Sequence, residues 1–136
     1  MPKTQPNEIC LEGSVGSSWW GEACFTPADV RAMLKDKTGP LCVRLNSGGG
    51  VATDGQAIYA QLASYPDEVT VIVEGIAASA ASLIAMAGDR IVMTQGALMM
   101  IHDPAATWTD GRGTEADHRK AASDLSVLAN AYAPIY

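Results

Sequence analysis

A serine at position 79 stands where a nucleophile could be made. It follows an apolar, β-branched run, Val69 to Glu74, and a glycine, Gly75. It also opens a stretch of small residues, Ser79 to Ala87, that reads as a helix ending at Gly88. The first turn of a helix has N–H groups without intrahelical partners, and the helix dipole favours negative charge beside them. Acyl transfer needs such donors for its oxyanion, and the N–H of Ala80 is placed to be one. The commoner role of a serine at a helix start is to cap it. Ser82 is the rival nucleophile, but it lies one turn inside the helix, where its hydroxyl is expected to bond a backbone carbonyl.

Two further groups could join such a serine. Ser47-Gly48-Gly49-Gly50 follows a strand-like segment and reads as a loop. Its glycines let the backbone take positive φ and approach a ligand closely. No Lys-Ser or Lys-Thr follows, so the spacing does not fit a phosphate-binding loop. A simple turn, a second oxyanion donor and a platform for an extended peptide all remain open. His102 ends the apolar run Leu98-Met99-Met100-Ile101 and precedes Asp103-Pro104, so it is expected at a strand end, where parallel sheets build their sites. A lone histidine there is more often structural. His118, among Asp117, Arg119 and Lys120, reads as a surface residue. Neither histidine has a second histidine or a cysteine at ligand spacing, and no metal or cofactor is expected.

The elements that must position these residues alternate. Residues 1–7 read as a flexible leader and Glu8 to Glu12 as a strand, followed by a Gly/Ser loop around Trp19-Trp20. Thr26-Pro27-Ala28-Asp29 has the order of a capping box with proline at the first helical position, and the helix is expected to reach about Lys37. Leu41 to Asn46 reads as a strand and Asp54 to about Tyr65 as a helix. Val69 to Glu74 reads as a strand buried on both faces, broken by Gly75. Arg90 to Thr94 and Ala97 to Ile101 are two short strands around a Gln95-Gly96 turn. A polar loop, Asp103 to Gly113, leads to a last helix from Thr114, again with an acid, Asp117, three residues on. Strand–helix alternation with short connections argues for an α/β fold with a mostly parallel sheet. Serine, histidine and glycine segment would then meet at the mouth of one sheet.

Composition narrows the setting. The chain has 136 residues, enough for one domain with a core, and its hydrophobic fraction of 48% includes only 6% aromatics. Charged residues are 18% and the net charge is −6 with no Lys/Arg cluster, so nucleic acid and anionic membrane are poor partners. So few charges suggest that copies of the chain cover part of its surface. Three cysteines, Cys10, Cys24 and Cys42, lack metal-ligand spacing and read as reduced thiols. The N-terminus has no apolar run, and Ile76 to Gly88 is too short to span a bilayer, so the reading is of a soluble, cytoplasmic protein.

Three segments resemble one family. Asn46-Ser47-Gly48-Gly49-Gly50 followed by Asp54-Gly55-Gln56-Ala57-Ile58-Tyr59 is similar to the ClpP signature, in which an Asn-Ser-Pro-Gly-Gly turn leads into a Gly-x-Ala-Ile-Tyr helix. Gly75-Ile76-Ala77-Ala78-Ser79 resembles that family's nucleophile segment, and Met99-Met100-Ile101-His102-Asp103-Pro104 its base segment. The resemblance covers residues 8–136 in order. It implies a ClpP/crotonase-like ββα-superhelix with a projecting C-terminal handle helix, a homo-oligomeric ring and serine endopeptidase activity on protein or peptide substrates. It further implies Ser79 as nucleophile, His102 as base, the N–H groups of Gly50 and Ala80 as oxyanion donors, and Gly48 and Gly49 against the substrate.

Two departures stand out. Gly48 occupies the usual proline position, which costs the free loop some rigidity but no chemical group. The family's catalytic Asp comes in a later segment, so the domain is expected to be truncated at its C-terminus, with the acid beyond Tyr136 or supplied by a neighbouring subunit. Asp103, Asp110, Asp117 and Asp124 are the acids after His102, and none is well placed to serve. The short nucleophile segment and the Trp-rich loop are most similar to proteases of phages and prophages that process capsid or scaffold protein without ATP during head maturation. Such a protein works in the host cytoplasm or the immature head. The alternatives are a housekeeping Clp subunit working with an AAA+ unfoldase, a non-catalytic ring subunit, and a crotonase-fold enzyme acting on acyl-CoA.

Overall fold

Every second residue of three neighbouring strands is buried: Ile9 and Leu11 in Glu8–Val15 (β1), Leu41, Val43 and Leu45 in Leu41–Gly50 (β3), and Val69, Val71 and Val73 in Val69–Ala78 (β4). Alternation of this kind puts one face of a sheet into the core. The computed structural model describes residues 7–18, 20–106 and 111–136, in two compact units, Met1–Ile101 and His102–Tyr136.

The first unit holds a six-stranded sheet with strand order β2-β1-β3-β4-β5, and all its described pairings are parallel. Cys24–Phe25 is β2, Arg90–Met93 is β5, and Leu98–Met100 (β6) pairs with the second half of β4. Pro27–Leu34 (α1), Ala52–Ala63 (α2) and Ala80–Ala85 (α3) supply Val30, Ile58, Leu62, Ala81, Ile84 and Ala85 to the same core. α1 starts as its sequence requires: Thr26 Oγ1 accepts from the Asp29 N–H at 3.2 Å, and the Thr26 N–H donates to the Asp29 carboxylate at 2.8 Å. α2 and α3 meet through a glycine, since a Cβ on Gly55 would lie 2.9 Å from Ala80 Cβ.

Several sequence expectations need correction. β4 is fully buried on one face only; its other face carries Thr70 and Ile72, half-buried, and Glu74, exposed. That face of the sheet is polar, with the Arg44 guanidinium pairing Glu8 at 2.9 Å and also Glu74 across three strands. Gly75 does not end β4, which runs on to Ala78, and β3 runs through the glycines to Gly50. A ladder partner on each side keeps both strands extended where local composition alone favours a turn. β1 likewise reaches Val15, because its end pairs with Cys24–Phe25, a strand not foreseen after the tryptophan loop. The helices are shorter than expected at their C-terminal ends, α1 stopping at Leu34 and α2 at Ala63.

The second unit contains Glu115–Tyr132 (α4), followed by a 3₁₀ turn at Ala133–Ile135. Thr114 and Asp117 form a second capping box, with N–H to oxygen distances of 3.2 and 2.8 Å. No helix among the described residues is long and apolar enough to cross a membrane.

Candidate active site

β4 ends at Ala78 and α3 begins at Ala80, leaving Ser79 alone to turn the chain. It does so at φ 55 and ψ −126, the one positive φ outside glycine among the described residues. A side chain in that region is strained by about 1–3 kcal/mol and persists only where the surroundings hold it. Here they do. The Ser79 N–H donates to Met100 O at 2.9 Å, tying the turn to β6. Its carbonyl accepts from the Ser82 N–H at 2.9 Å and from the Ser82 hydroxyl at 2.6 Å. Ser79's own hydroxyl makes no capping bond. The roles foreseen as alternatives thus divide: Ser82 is buried and bonded to backbone, while Ser79 keeps its oxygen uncommitted to the helix. A serine on a strained strand-to-helix turn presents its oxygen at the end of the sheet.

The glycine segment lies against this turn. A Cβ on Gly49 would stand 2.6 Å from Ala78 O, 2.7 Å from Ser79 Cβ and 3.1 Å from Ala80 N, and its φ is +97. Only a glycine lets β3 come this close. Its N–H donates to Ser47 Oγ at 3.1 Å, so a buried hydroxyl shapes the segment from within. Gly50 is closed in from the other side, where a Cβ would fall 2.1 Å from Val15 O. Gly48 is open, with nothing within 4 Å of an added Cβ. The structure therefore gathers Ser79, Ala80, Gly49 and Gly50 at the carboxyl ends of β3 and β4, where parallel sheets bind ligands.

His102 belongs to the second unit, where it is exposed. Its Nδ1 lies 2.7 Å from the Asp103 backbone carbonyl oxygen. A carbonyl only accepts, so this contact is a hydrogen bond in the tautomer that carries its proton on Nδ1. A neutral carbonyl orients the ring but adds less to an imidazolium than a carboxylate would. The Asp117 carboxylate is taken by Thr114, whose hydrogen bonds hold it below the usual range, and Asp124 is taken by Lys120 at 2.6 Å. Asp110 lies outside the described residues. No group of three His, Cys, Asp or Glu side chains that could hold a metal ion is found among the described residues.

Sequence reasoning missed the Ser47 hydroxyl and the Met100 carbonyl as supports of the site. Ser47 is signalled only by its place two residues before a glycine, the spacing of a serine turn. Met100 O carries no side-chain signal at all.

An α/β protein with a strained serine at the carboxyl ends of parallel strands is the class that fold and turn define. The chain belongs to the Clp protease family, whose model matches residues 29–136. Over 88 residues, 63% of this chain, it is 33% identical to an ATP-dependent Clp protease proteolytic subunit of Ranunculus macranthus, covering 44% of that protein. Over 102 residues, 73% of this chain, it is 32% identical to a protein of the same description from Nephroselmis olivacea, covering 47% of it. A ClpP1 mutant from Listeria monocytogenes shares the fold, with a TM-score of 0.76 over 95% of this chain and 69% of that one, at 18% identity. The chain thus spans about half the length of the curated relatives it matches.

Proposed function

We propose that this chain carries the nucleophile and the base of a serine endopeptidase. The Ser79 oxygen attacks the scissile carbonyl and its proton passes to His102 Nε2. The oxyanion is met by the N–H groups of Gly50 and Ala80, and the substrate backbone lies along Gly48 and Gly49. The C–N bond then breaks, the leaving amine takes the proton from Nε2, and water resolves the acyl-enzyme by the same route. The observation that carries this reading is Ser79 itself, held at φ 55 with a hydroxyl that caps nothing. On this reading the acid that supports His102 is neither Asp117 nor Asp124, which are engaged by Thr114 and Lys120. Loss of such an acid is expected to lower turnover by about 10⁴-fold.

A fluorophosphonate probe tests the assignment. The wild-type protein and Ser82→Ala should be labelled and Ser79→Ala should not. Labelling that survives Ser79→Ala, or disappears in Ser82→Ala, would overturn it.

Within the family we assign the chain to ATP-independent processing of capsid or scaffold protein in a ring of copies of itself. The short nucleophile segment and the tryptophan-rich loop, similar in sequence to that branch, support this reading. The relatives' description as ATP-dependent subunits favours the second reading, a partner of an unfoldase. Cleavage of assembled immature capsids without nucleotide supports the first, and cleavage only with an unfoldase and ATP supports the second.

A further inference from the structure

β3 and β4 do not keep one register. From Leu41↔Val69 to Leu45↔Val73 they pair residue for residue, and then the next pair is Ser47↔Ala77. Three residues of β4, Glu74, Gly75 and Ile76, therefore stand opposite the single residue Asn46, which makes a bulge with two extra residues in β4. Without it, Ser47 would face Gly75 and Gly49 would face Ala77. Ser79 would then lie two residues, about 6.6 Å, past the glycine. With it, Gly49 comes level with Ser79, at the close approach already described.

A bulge leaves ladder groups unpaired, and this one is satisfied from both sides by side chains. The Ile76 N–H donates to Asn46 Oδ1 at 3.2 Å. On the opposite flank the Thr94 hydroxyl, just past β5, reaches Glu74 O at 3.0 Å and Val73 O at 3.1 Å. Gly75 makes room for the first of these bonds, since a Cβ there would sit 2.7 Å from Asn46 Oδ1. Beyond the bulge β4 changes partner, from β5 through Val73 to β6 from Ile76.

We propose that Asn46 and Thr94 are positioning residues that clamp the β4 bulge in place and so set Ser79 in register with the glycine segment. The inference rests on Ser79 as nucleophile for its catalytic consequence, but not for its structural one. Bulges beside active sites re-aim side chains in this way. Neither residue touches substrate on the proposed mechanism; each acts through the backbone of residues 74–76.

The test uses the full 136-residue chain with Asn46→Leu, which keeps bulk and loses the acceptor, and Thr94→Val, which keeps shape and loses the hydroxyl. Thr94→Ser restores the hydroxyl. Three quantities are read: the first-order rate of acylation by a fluorophosphonate, the probe's binding constant, and amide exchange along Val69–Ser79. A displacement of about 1 Å costs on the order of 100-fold in rate. Asn46→Leu and Thr94→Val should thus slow acylation by roughly 10- to 100-fold with little change in probe binding. Exchange should accelerate at Ile76–Ser79 but not at Val69–Val73, and Thr94→Ser should recover the rate. Wild-type acylation in both variants, or equal loss in Thr94→Ser and Thr94→Val, overturns the inference. If the wild-type protein is not acylated at all, the functional reading fails and exchange alone decides. Localised loss of protection at Ile76–Ser79 then sustains the clamp, and unchanged protection overturns it. Should Asn46→Leu fail to fold, the Thr94 pair decides by the same readings.

Discussion

Gly48 and Gly49 are neighbours with opposite demands. An alanine at 48 meets open space, whereas one at 49 would strike Ala78 O and Ser79 Cβ in a backbone conformation that side chains avoid. Gly49→Ala is therefore expected to lower stability by about 1–3 kcal/mol and to abolish fluorophosphonate labelling. Gly48→Ala should stay within about 0.5 kcal/mol of wild type and keep its label. Chemical denaturation and probe labelling of the two variants check this. Gly50 offers no such clean test, because a side chain there would strike Val15 O before it affected any oxyanion. Ser79 permits a sharper one. Its positive φ strains any L residue, so Ser79→Gly should exceed Ser79→Ala in stability by about 1 kcal/mol, although neither carries a nucleophile. Equal unfolding free energies for the two variants would show that the turn stores no strain.

The helices that carry no chemistry hold their ends by local bonds. Hydrogen bonds from Thr26 hold the Asp29 carboxyl below the ordinary carboxylate range, and those from Thr114 do the same for Asp117. A carboxyl whose folded pKa is depressed stabilises the fold fully above its unfolded value, near 4, and loses that contribution as pH falls through the folded value. Asp29→Asn should therefore narrow its stability gap from wild type between pH 5 and pH 2, as followed by thermal unfolding. A gap independent of pH in that window would mean that the charge of Asp29 contributes nothing. Thr26→Ala, which removes the side-chain cap, should cost about 1 kcal/mol at neutral pH. Elements that carry the site depend instead on partners distant in the chain: the turn at Ser79 on Met100, and the end of β3 on Val15.

At the scale of the molecule, α4 has no buried residue, and its half-buried positions Ala121, Leu125, Leu128, Ala129 and Tyr132 recur at helical spacing. Val127 is 65% exposed. Such a stripe on an 18-residue helix is suited to another helix of the same kind. Light scattering at micromolar concentration should therefore report an oligomer, and Leu125→Lys should shift it towards monomer. A clean monomer for the wild-type chain would remove the basis for a ring. The polar outer face of the sheet, with Glu8, Arg44 and Glu74 ion-paired, is less suited to an apolar partner.

What the sequence determined by itself was whatever depends on neighbours in the chain. Two capping boxes follow from Thr26 with Asp29 and Thr114 with Asp117, whereas the apolar run of β4 reads as buried on both faces and only the sheet shows that one face is. Parallel pairing follows from strand–helix alternation, and the small residues after Ser79 signal a helix there, although β4 runs through Gly75 to Ala78 where the sequence suggests a break. Tertiary structure decided what depends on residues far apart in sequence. The glycine segment is strand rather than loop because Gly49 and Gly50 pair with β1 and Ser47 pairs with β4. Ser79 is strained, not capping, because its amide is bound to Met100 across the sheet. Its alignment with Gly49 comes from two extra residues in β4, satisfied by Asn46 and Thr94. No local propensity encodes such a register, since it is set only when separate strands exchange hydrogen bonds.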